Sequence, residues 1–353
     1  MLFVFLHMEY KQEMTFLQKV KRIDYIGNLI LIGSTVSTLI ALTYGGTRWS
    51  WSEARTLAPL IIGLLGLVVF MIFENSKFTV EPVTPPRLFK NRTSATVFAI
   101  TFLNSALLYW ALFFLPVYFQ AVAGSSPSRS GVQLLPIVLV AVPAAIASAL
   151  ALAKFGKYKI LHFLGFAICT IGIGLFSTLD KDSTTAEWVI FQIIAAWGSG
   201  FVLNTLLPAC QAGLEEKDQA AATATWSFIR SFGAIWGVAI PAAIFNNEFS
   251  KNSWRISDAN AWQLLSGGKA YEFASARFVG SFPPTVRDEI IGVYSDSLKL
   301  VWYIAIVFSG FAFLLVFFEK QIKLRTELDT EYGLKEVKKE KLVESADGIK
   351  RDK

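Results

Sequence analysis

The sequence has 353 residues, of which 54% are hydrophobic, 14% are aromatic and only 17% are charged, and its formal net charge is +6. A soluble globular domain of this composition would expose too much apolar surface, so that class of protein is excluded. The basic residues lie between hydrophobic segments and form no continuous stripe, so nucleic acid is not a predicted partner. Cys169 and Cys210 lie inside hydrophobic segments without metal-ligand spacing, so neither a disulfide framework nor a zinc site is predicted, and no other cofactor is indicated.

Eight segments of 17 residues or more carry almost no charge. A hydrocarbon core of about 30 Å needs about 20 apolar residues of α-helix, because backbone amides in lipid must bond within their own segment. In chain order the eight segments are residues 26–44, 57–73, 95–120, 132–153, 160–179, 188–214, 220–245 and 300–318. The sequence therefore predicts an all-α polytopic membrane protein with eight transmembrane helices.

The distribution of Lys and Arg predicts the orientation of these helices. Fifteen basic residues lie close to the helix ends on the side that holds both chain termini, against four in the short loops of the other side. Cytosolic loops carry this excess, so both termini are predicted to be cytosolic. The long loop at 246–299 also contains basic residues, but long loops cross the membrane largely regardless of charge, and it is predicted to face outward.

The remaining segments complete the predicted organisation. Residues 1–25 form a cytosolic lead-in, in which residues 1–7 resemble the end of a helix whose beginning is absent. Residues 319–353 are rich in Lys and Glu and form a charged cytosolic tail. In the outer loop, the apolar spacing after Pro283 and Pro284 is compatible with a short amphipathic helix or with a simple loop cap.

Four stretches carry a resemblance to a known family. Residues 115–136 read LPVYFQAVAGSSPSRSGVQLLP, an aromatic helix end followed by a Gly/Ser/Pro turn and a new helix. This block resembles the signature that follows the first C-terminal-half helix of fungal major facilitator superfamily exporters, in the fourteen-spanner drug:proton antiporter branch. Residues 22–27, 87–93 and 226–238 resemble further stretches of that branch, in the same order along the chain.

The resemblance implies a particular division of the chain. Residues 26–73 would be two accessory transmembrane helices, and residues 94–318 would be a C-terminal six-helix bundle. The N-terminal six-helix half of the family is missing from this sequence, and it is the expected packing partner. The turn at 154–159 resembles the family's loop motif and keeps its basic residues and glycine, but it has no acidic partner in the sequence.

Substrate sites in this superfamily lie near the bilayer midplane, and the first helix of each three-helix repeat lines them. By resemblance the third and sixth helices line the cavity, with Asn104, Tyr109 and Tyr118 on one and Gln192 and Asn204 on the other. For each of these residues an ordinary interhelical hydrogen bond is the alternative to a substrate contact.

Arg230 is the one charged residue predicted to lie deep within a helix. An intramembrane charge costs about 2.5–3.5 kcal/mol on insertion scales, so Arg230 should face water or a partner, either as a structural tie or as a gating or substrate-binding residue. Gly233 and Gly237 follow at a spacing that predicts a close helix contact. His162 lies near a helix end and is predicted to be a surface residue rather than a proton relay.

The predicted function is the export of small hydrophobic or amphipathic organic compounds, such as drugs or toxins. The predicted location is the plasma membrane in preference to the vacuolar membrane. The resemblance implies alternating access coupled to protons in the full-length protein. No Asp or Glu lies within a predicted span, so the coupling carboxylate would belong to the missing half. The alternative is a truncated membrane protein without transport activity, either a gene-model fragment or a regulatory partner. No intramembrane His/Asp/Glu/Cys constellation indicates an enzyme.

Overall fold

The structure is a computed structural model that describes residues 23–76, 79 and 81–324. The predicted helix remnant at 1–7 and nearly all of the predicted tail lie outside these residues. Eight helices in the described part are long and apolar enough to cross a membrane, which confirms the predicted number and fold class. They are α1 Tyr25–Tyr44, α2 Ala54–Glu74, α3 Arg92–Val117, α4 Leu135–Phe155, α5 Tyr158–Phe176, α6 Thr185–Leu203, α7 Gln219–Asn252 and α8 Pro284–Val316.

Short helical segments connect or extend these eight helices. The α-helical ones are Pro127–Gln133, Leu206–Gln211, Ala259–Leu265 and Ala276–Val279, and the 3-10 turns are Pro86–Phe89, Glu216–Asp218 and Ser253–Arg255. A π-helical turn, Tyr118–Val122, continues α3 at its C-terminal end. It falls within the aromatic block that carries the family resemblance.

Polar side chains and glycine set the helix ends, as the unpaired amides and carbonyls there require. The Asn91 side chain accepts a hydrogen bond from the Thr93 amide and begins α3. Thr184 and Glu187 form a capping box at the start of α6. Gly156 ends α4 with φ = 65°, a left-handed conformation that glycine adopts without steric cost.

Helix α3 is the centre of the bundle. It packs against α7 and α8 and contacts α6. Of its most hydrophobic stretch, 67% of the residues are buried inside the protein. Large apolar side chains form one core cluster toward the outer loop and another toward the opposite end. By contrast, only 17% of the residues in the hydrophobic stretch of α2 are buried. The side chains of Ile61, Leu65 and Val69 are exposed, as a lipid-facing helix requires.

Helices α1 and α2, hereafter the accessory pair, pack against each other and reach the bundle through α7. At one end of the pair, the Trp51 indole N–H donates to Asn247 Oδ1 at 3.0 Å and Asn247 Nδ2 donates to the Gly45 carbonyl at 2.9 Å. Between the pair, α3 and α7 lies an apolar cavity of about 450 Å³. The accessory pair therefore lies beside the bundle and is attached to it mainly along α7.

The outer-loop region differs from both sequence-based alternatives. Helix α7 continues to Asn252, and α8 begins at Pro284 and runs without interruption to Val316. The amphipathic turns after Pro284 are thus the first part of the last spanning helix, because their apolar residues Val286, Ile290 and Val293 join the main core.

Candidate functional site

A polar notch opens between α3 and α7, and Arg230 lies in it. Its cavity volume is about 250 Å³, and its lining residues come from these two helices only: Ser105, Tyr109, Trp226, Ser227, Arg230, Ser231 and Ala234. Arg230 follows the first residue of α7 by eleven positions, which places it roughly 17 Å along the helix. The Arg230 guanidinium thus shares a small cavity with three serine side chains.

The Arg230 guanidinium is stacked near an aromatic ring rather than paired with an acid. It lies 5.4 Å from the Trp226 ring centroid, one helical turn earlier on the same helix. Among the residues that the structure describes, no carboxylate forms an ion pair with Arg230. In the part of the chain that the structure describes, the buried Trp226 indole N–H also has no acceptor. The notch therefore presents a positive charge that no described carboxylate neutralises.

The serines of the notch are oriented by backbone bonds. Ser105 Oγ on α3 donates to the Arg230 carbonyl at 2.6 Å and joins the two helices at the level of the charge. Ser227 and Ser231 each donate to the carbonyl four residues earlier, both at 3.0 Å. Since those hydroxyl hydrogens are used, the oxygens face any bound molecule as acceptors.

Gly233 and Gly237 bring α7 close to α3. An added Cβ at Gly233 would lie 2.5 Å from the Phe102 carbonyl oxygen, and one at Gly237 would lie 2.2 Å from that of Ala106. Both glycines therefore face the neighbouring helix of the same bundle. The close helix contact that their spacing predicts is thus made with α3 of this chain.

The other predicted cavity residues do not reach the notch. Tyr118 is 2% exposed, and its hydroxyl donates to the Asp180 carbonyl at 3.0 Å. Gln192 is buried and its Nε2 donates to the Gln133 and Trp188 carbonyls. Asn204 Nδ2 donates to the Ala145 carbonyl at 3.4 Å, and Asn104 is buried within the bundle. Only Tyr109 and Arg230, of the six predicted residues, line the notch.

The notch thus uses α3 and α7, whereas the prediction placed the cavity on the third and sixth helices. Sequence reasoning missed Ser105 and Trp226. Trp226 could have been found, since it lies four residues before Arg230 on one helix face. Ser105 carries no such signal, because its place beside Arg230 depends on how α3 packs against α7.

His162 is buried, which corrects its prediction as a surface residue. Its side chain and that of Glu319 are both 0% exposed, and Nδ1 lies 2.9 Å from Oε2. The ammonium group of Lys159 donates to the carbonyls of Phe317 and Glu319. The segment after α8 therefore packs against the turn at 154–159, but among the described residues the Glu319 carboxylate pairs with His162 and with no basic residue of the turn.

Comparison with known proteins agrees with this architecture. The sequence profile of the Major Facilitator Superfamily matches residues 26–238. The chain is 48% identical over 340 residues to the MFS-type transporter gkaD of Penicillium citrinum, covering 96% of this chain and 58% of the relative. It is 46% identical over 341 residues to the efflux pump FUS6 of Gibberella fujikuroi, covering 96% and 61%.

A third relative, the MFS-type efflux transporter phmH of Phaeosphaeria nodorum, is 46% identical over 354 residues, covering 100% of this chain and 62% of the relative. The chain thus spans about three fifths of the length of these curated fungal relatives. Together with the eight spanning helices, these matches confirm the resemblance found in the sequence. The protein is an integral, multi-pass membrane protein that belongs to the Major Facilitator Superfamily.

Proposed function

We propose that this chain forms the C-terminal part of an exporter of small amphipathic organic compounds, and that it works by alternating access with a companion six-helix half. Three relatives that are 46–48% identical to this chain carry the names MFS-type transporter, efflux pump and MFS-type efflux transporter. The proposed coupling is to protons, and the proposed location is the plasma membrane with both termini in the cytosol. The coupling carboxylate is proposed to lie in the companion half.

The observation that carries the proposal is the Arg230 notch. An arginine remains charged inside a membrane protein, so it requires water, a counter-charge or a polar ligand. Arg230 has no carboxylate partner among the described residues, and the nearby Trp226 N–H has no acceptor. A substrate that presents an anionic or carbonyl oxygen on an apolar body would supply the partner that the Arg230 guanidinium lacks among the described residues.

The aromatic residues around the notch fit the apolar part of such a substrate. Tyr109 is 37% exposed and stacks on Phe113, with ring centroids 6.3 Å apart. Aromatic faces bind flat apolar groups without strict hydrogen-bond matching. The notch itself is small, so it would hold the polar end of the substrate while the remainder extends toward the companion half.

The test is export of a labelled amphipathic compound from cells that express this chain together with a companion half. Arg230→Gln removes the charge and keeps the side-chain length. A lost charge-assisted hydrogen bond is worth about 1.5–3 kcal/mol, so transport efficiency should fall by roughly tenfold to a hundredfold. Arg230→Lys should retain part of the activity, and a protonophore should abolish export.

Arg129→Gln is the matched control, because Arg129 is exposed on the short helix Pro127–Gln133 outside the notch. It should export at the unmodified rate at equal expression. Unchanged export by the Arg230→Gln variant would contradict the role given to the notch. Absence of export over a broad compound panel would contradict the proposed function itself.

A further inference from the structure

Two carboxyl groups meet at the end of the accessory pair opposite the 45–53 turn. Asp24 precedes α1, and its Oδ1 accepts a hydrogen bond from the Gly27 amide at 2.8 Å. Glu74 is the last residue of α2 and only 3% exposed. The Asp24 side chain lies within hydrogen-bonding reach of the Glu74 carboxyl.

Each carboxyl uses one oxygen and leaves the other without a donor. Glu74 Oε2 accepts from the Thr84 amide at 2.8 Å and from the Thr84 hydroxyl at 3.4 Å. Asp24 Oδ2 and Glu74 Oε1 are both buried and have no hydrogen-bond partner. The site therefore contains a nearly fully buried glutamate with an unpartnered oxygen, and beside it an aspartate that also has an unpartnered oxygen among the described residues.

The local sequence holds the Asp24 carboxyl in this position. A Cβ on residue 27 would lie 1.8 Å from Asp24 Oδ2, so only glycine allows the carboxyl to fold over the start of the helix. The Asn28 side chain also donates to the Asp24 carbonyl, at 2.6 Å. Asp24 is thereby fixed on the helix end that faces Glu74.

No described basic residue neutralises this pair. In the sequence, Lys21 and Arg22 precede Asp24 and Lys77 follows Glu74, and these three lie outside the described residues. The described titratable groups of the neighbouring segments are Glu81, Arg87, Lys90 and Asp218, of which Arg87 pairs with Asp218 at 2.7 Å. Among the residues that the structure describes, neither Asp24 nor Glu74 forms an ion pair with a basic side chain. Two ionised carboxylates accept hydrogen bonds only and repel each other, whereas one proton between them supplies the missing donor to both oxygens.

We propose that Asp24 and Glu74 form a proton-binding site, in which one proton is carried on Glu74 Oε1 and donated to Asp24 Oδ2. The helix ends assign the proton to Glu74. Asp24 lies at the N-terminal end of α1, which stabilises negative charge, while Glu74 lies at the C-terminal end of α2, which disfavours it. The bound proton joins the ends of the two accessory helices by a hydrogen bond. The bonds from Thr84 to Glu74 Oε2 also attach these ends to the segment that leads into α3. The inference does not depend on the proposed export.

Infrared spectroscopy of the purified chain in detergent tests the site directly. The protein at neutral pH should show the C=O stretching band of a protonated, buried carboxylic acid, with the usual shift in heavy water. Glu74→Gln should remove that band, and its amide can still donate to Asp24 and accept from Thr84, so the variant should fold. Asp24→Asn should also remove it, because an amide donor then replaces the shared proton and Asn still caps the helix.

Glu53→Gln is the control, since Glu53 lies at the opposite end of the accessory pair, is solvent-exposed and contacts Arg55. This variant should keep the band. If the unmodified chain lacked the band at neutral pH, or if Glu74→Gln retained it, the shared proton would be ruled out.

The pH dependence of thermal unfolding provides an independent measurement. A proton that the folded chain binds and the unfolded chain releases makes stability fall as the pH rises. The unmodified chain should therefore lose thermal stability on going to alkaline pH more steeply than Glu74→Gln, whose amide donor does not dissociate. Parallel pH profiles for the two proteins would overturn the proposal.

Discussion

Burial and partners determine which chemistry is open to each ionisable side chain of this protein. Arg230 stacks near Trp226 in a notch and has no acidic partner among the described residues. His162 and Glu319 are completely buried and pair through His162 Nδ1, while His162 Nε2 has no hydrogen-bond partner among the described residues. The first arrangement leaves a charge available to a ligand, whereas the second joins α5 to the segment after α8.

Substitution of His162 tests the structural role of that buried pair. His162→Leu leaves the Glu319 carboxylate buried without its partner, which should destabilise the protein by about 3–5 kcal/mol. His162→Gln keeps a donor and should lose less. Thermal unfolding in detergent measures both, with Asp182→Asn in an exposed loop as the control. A melting temperature of His162→Leu equal to that of the control would show that the pair does not stabilise the fold.

At the scale of the helix, close backbone approach between α3 and α7 positions the notch. Gly233 and Gly237 allow α7 to contact the α3 carbonyls of Phe102 and Ala106. Small residues are typical of helix contacts in membranes, where apolar side chains gain nothing over lipid by associating. The bond from Ser105 to the Arg230 carbonyl lies on the same contact.

Gly237→Ala should destabilise this contact, because the added methyl would lie 2.2 Å from the Ala106 carbonyl oxygen. Overpacking of this kind costs about 1–3 kcal/mol. Gly310→Ala in α8 is the matched control: nothing lies within 4 Å of its added Cβ, and removal of a helical glycine should be neutral or stabilising by about 0.5–1 kcal/mol. The reverse order of melting temperatures would refute the close α3–α7 contact.

At the scale of the whole molecule, the orientation in the membrane rests on the distribution of basic residues. Cys169 and Cys210 are both buried, so an introduced cysteine can be labelled over a low background. Lys157 and Ser52 are exposed, and they lie in turns that are predicted to face opposite sides of the membrane.

A membrane-impermeant maleimide should label Ser52→Cys in intact cells and Lys157→Cys only after permeabilisation. This result follows from the excess of Lys and Arg in cytosolic loops. Labelling of Lys157→Cys in intact cells, with Ser52→Cys protected, would invert the predicted topology. Equal labelling of both positions after permeabilisation serves as the control for reactivity.

The sequence by itself determined the eight spanning helices and the family. Hydrophobic length is sufficient for the helices, because lipid leaves the backbone no other way to satisfy its amides, and the motif at 115–136 identified the branch. It also located Arg230 and the contact glycines, since charge and small size are properties of single residues.

Only the tertiary structure decided which residues meet. Ser105 reaches Arg230, Glu319 reaches His162, and Asp24 reaches Glu74 across separations of 125, 157 and 50 residues in the chain. Hydrophobic patterning in a membrane shows where a helix lies but only weakly which face meets which neighbour, because lipid and protein are almost equally apolar. For that reason Tyr118, Gln192 and Asn204, all sequence candidates for the cavity, instead donate hydrogen bonds to backbone carbonyls of neighbouring segments.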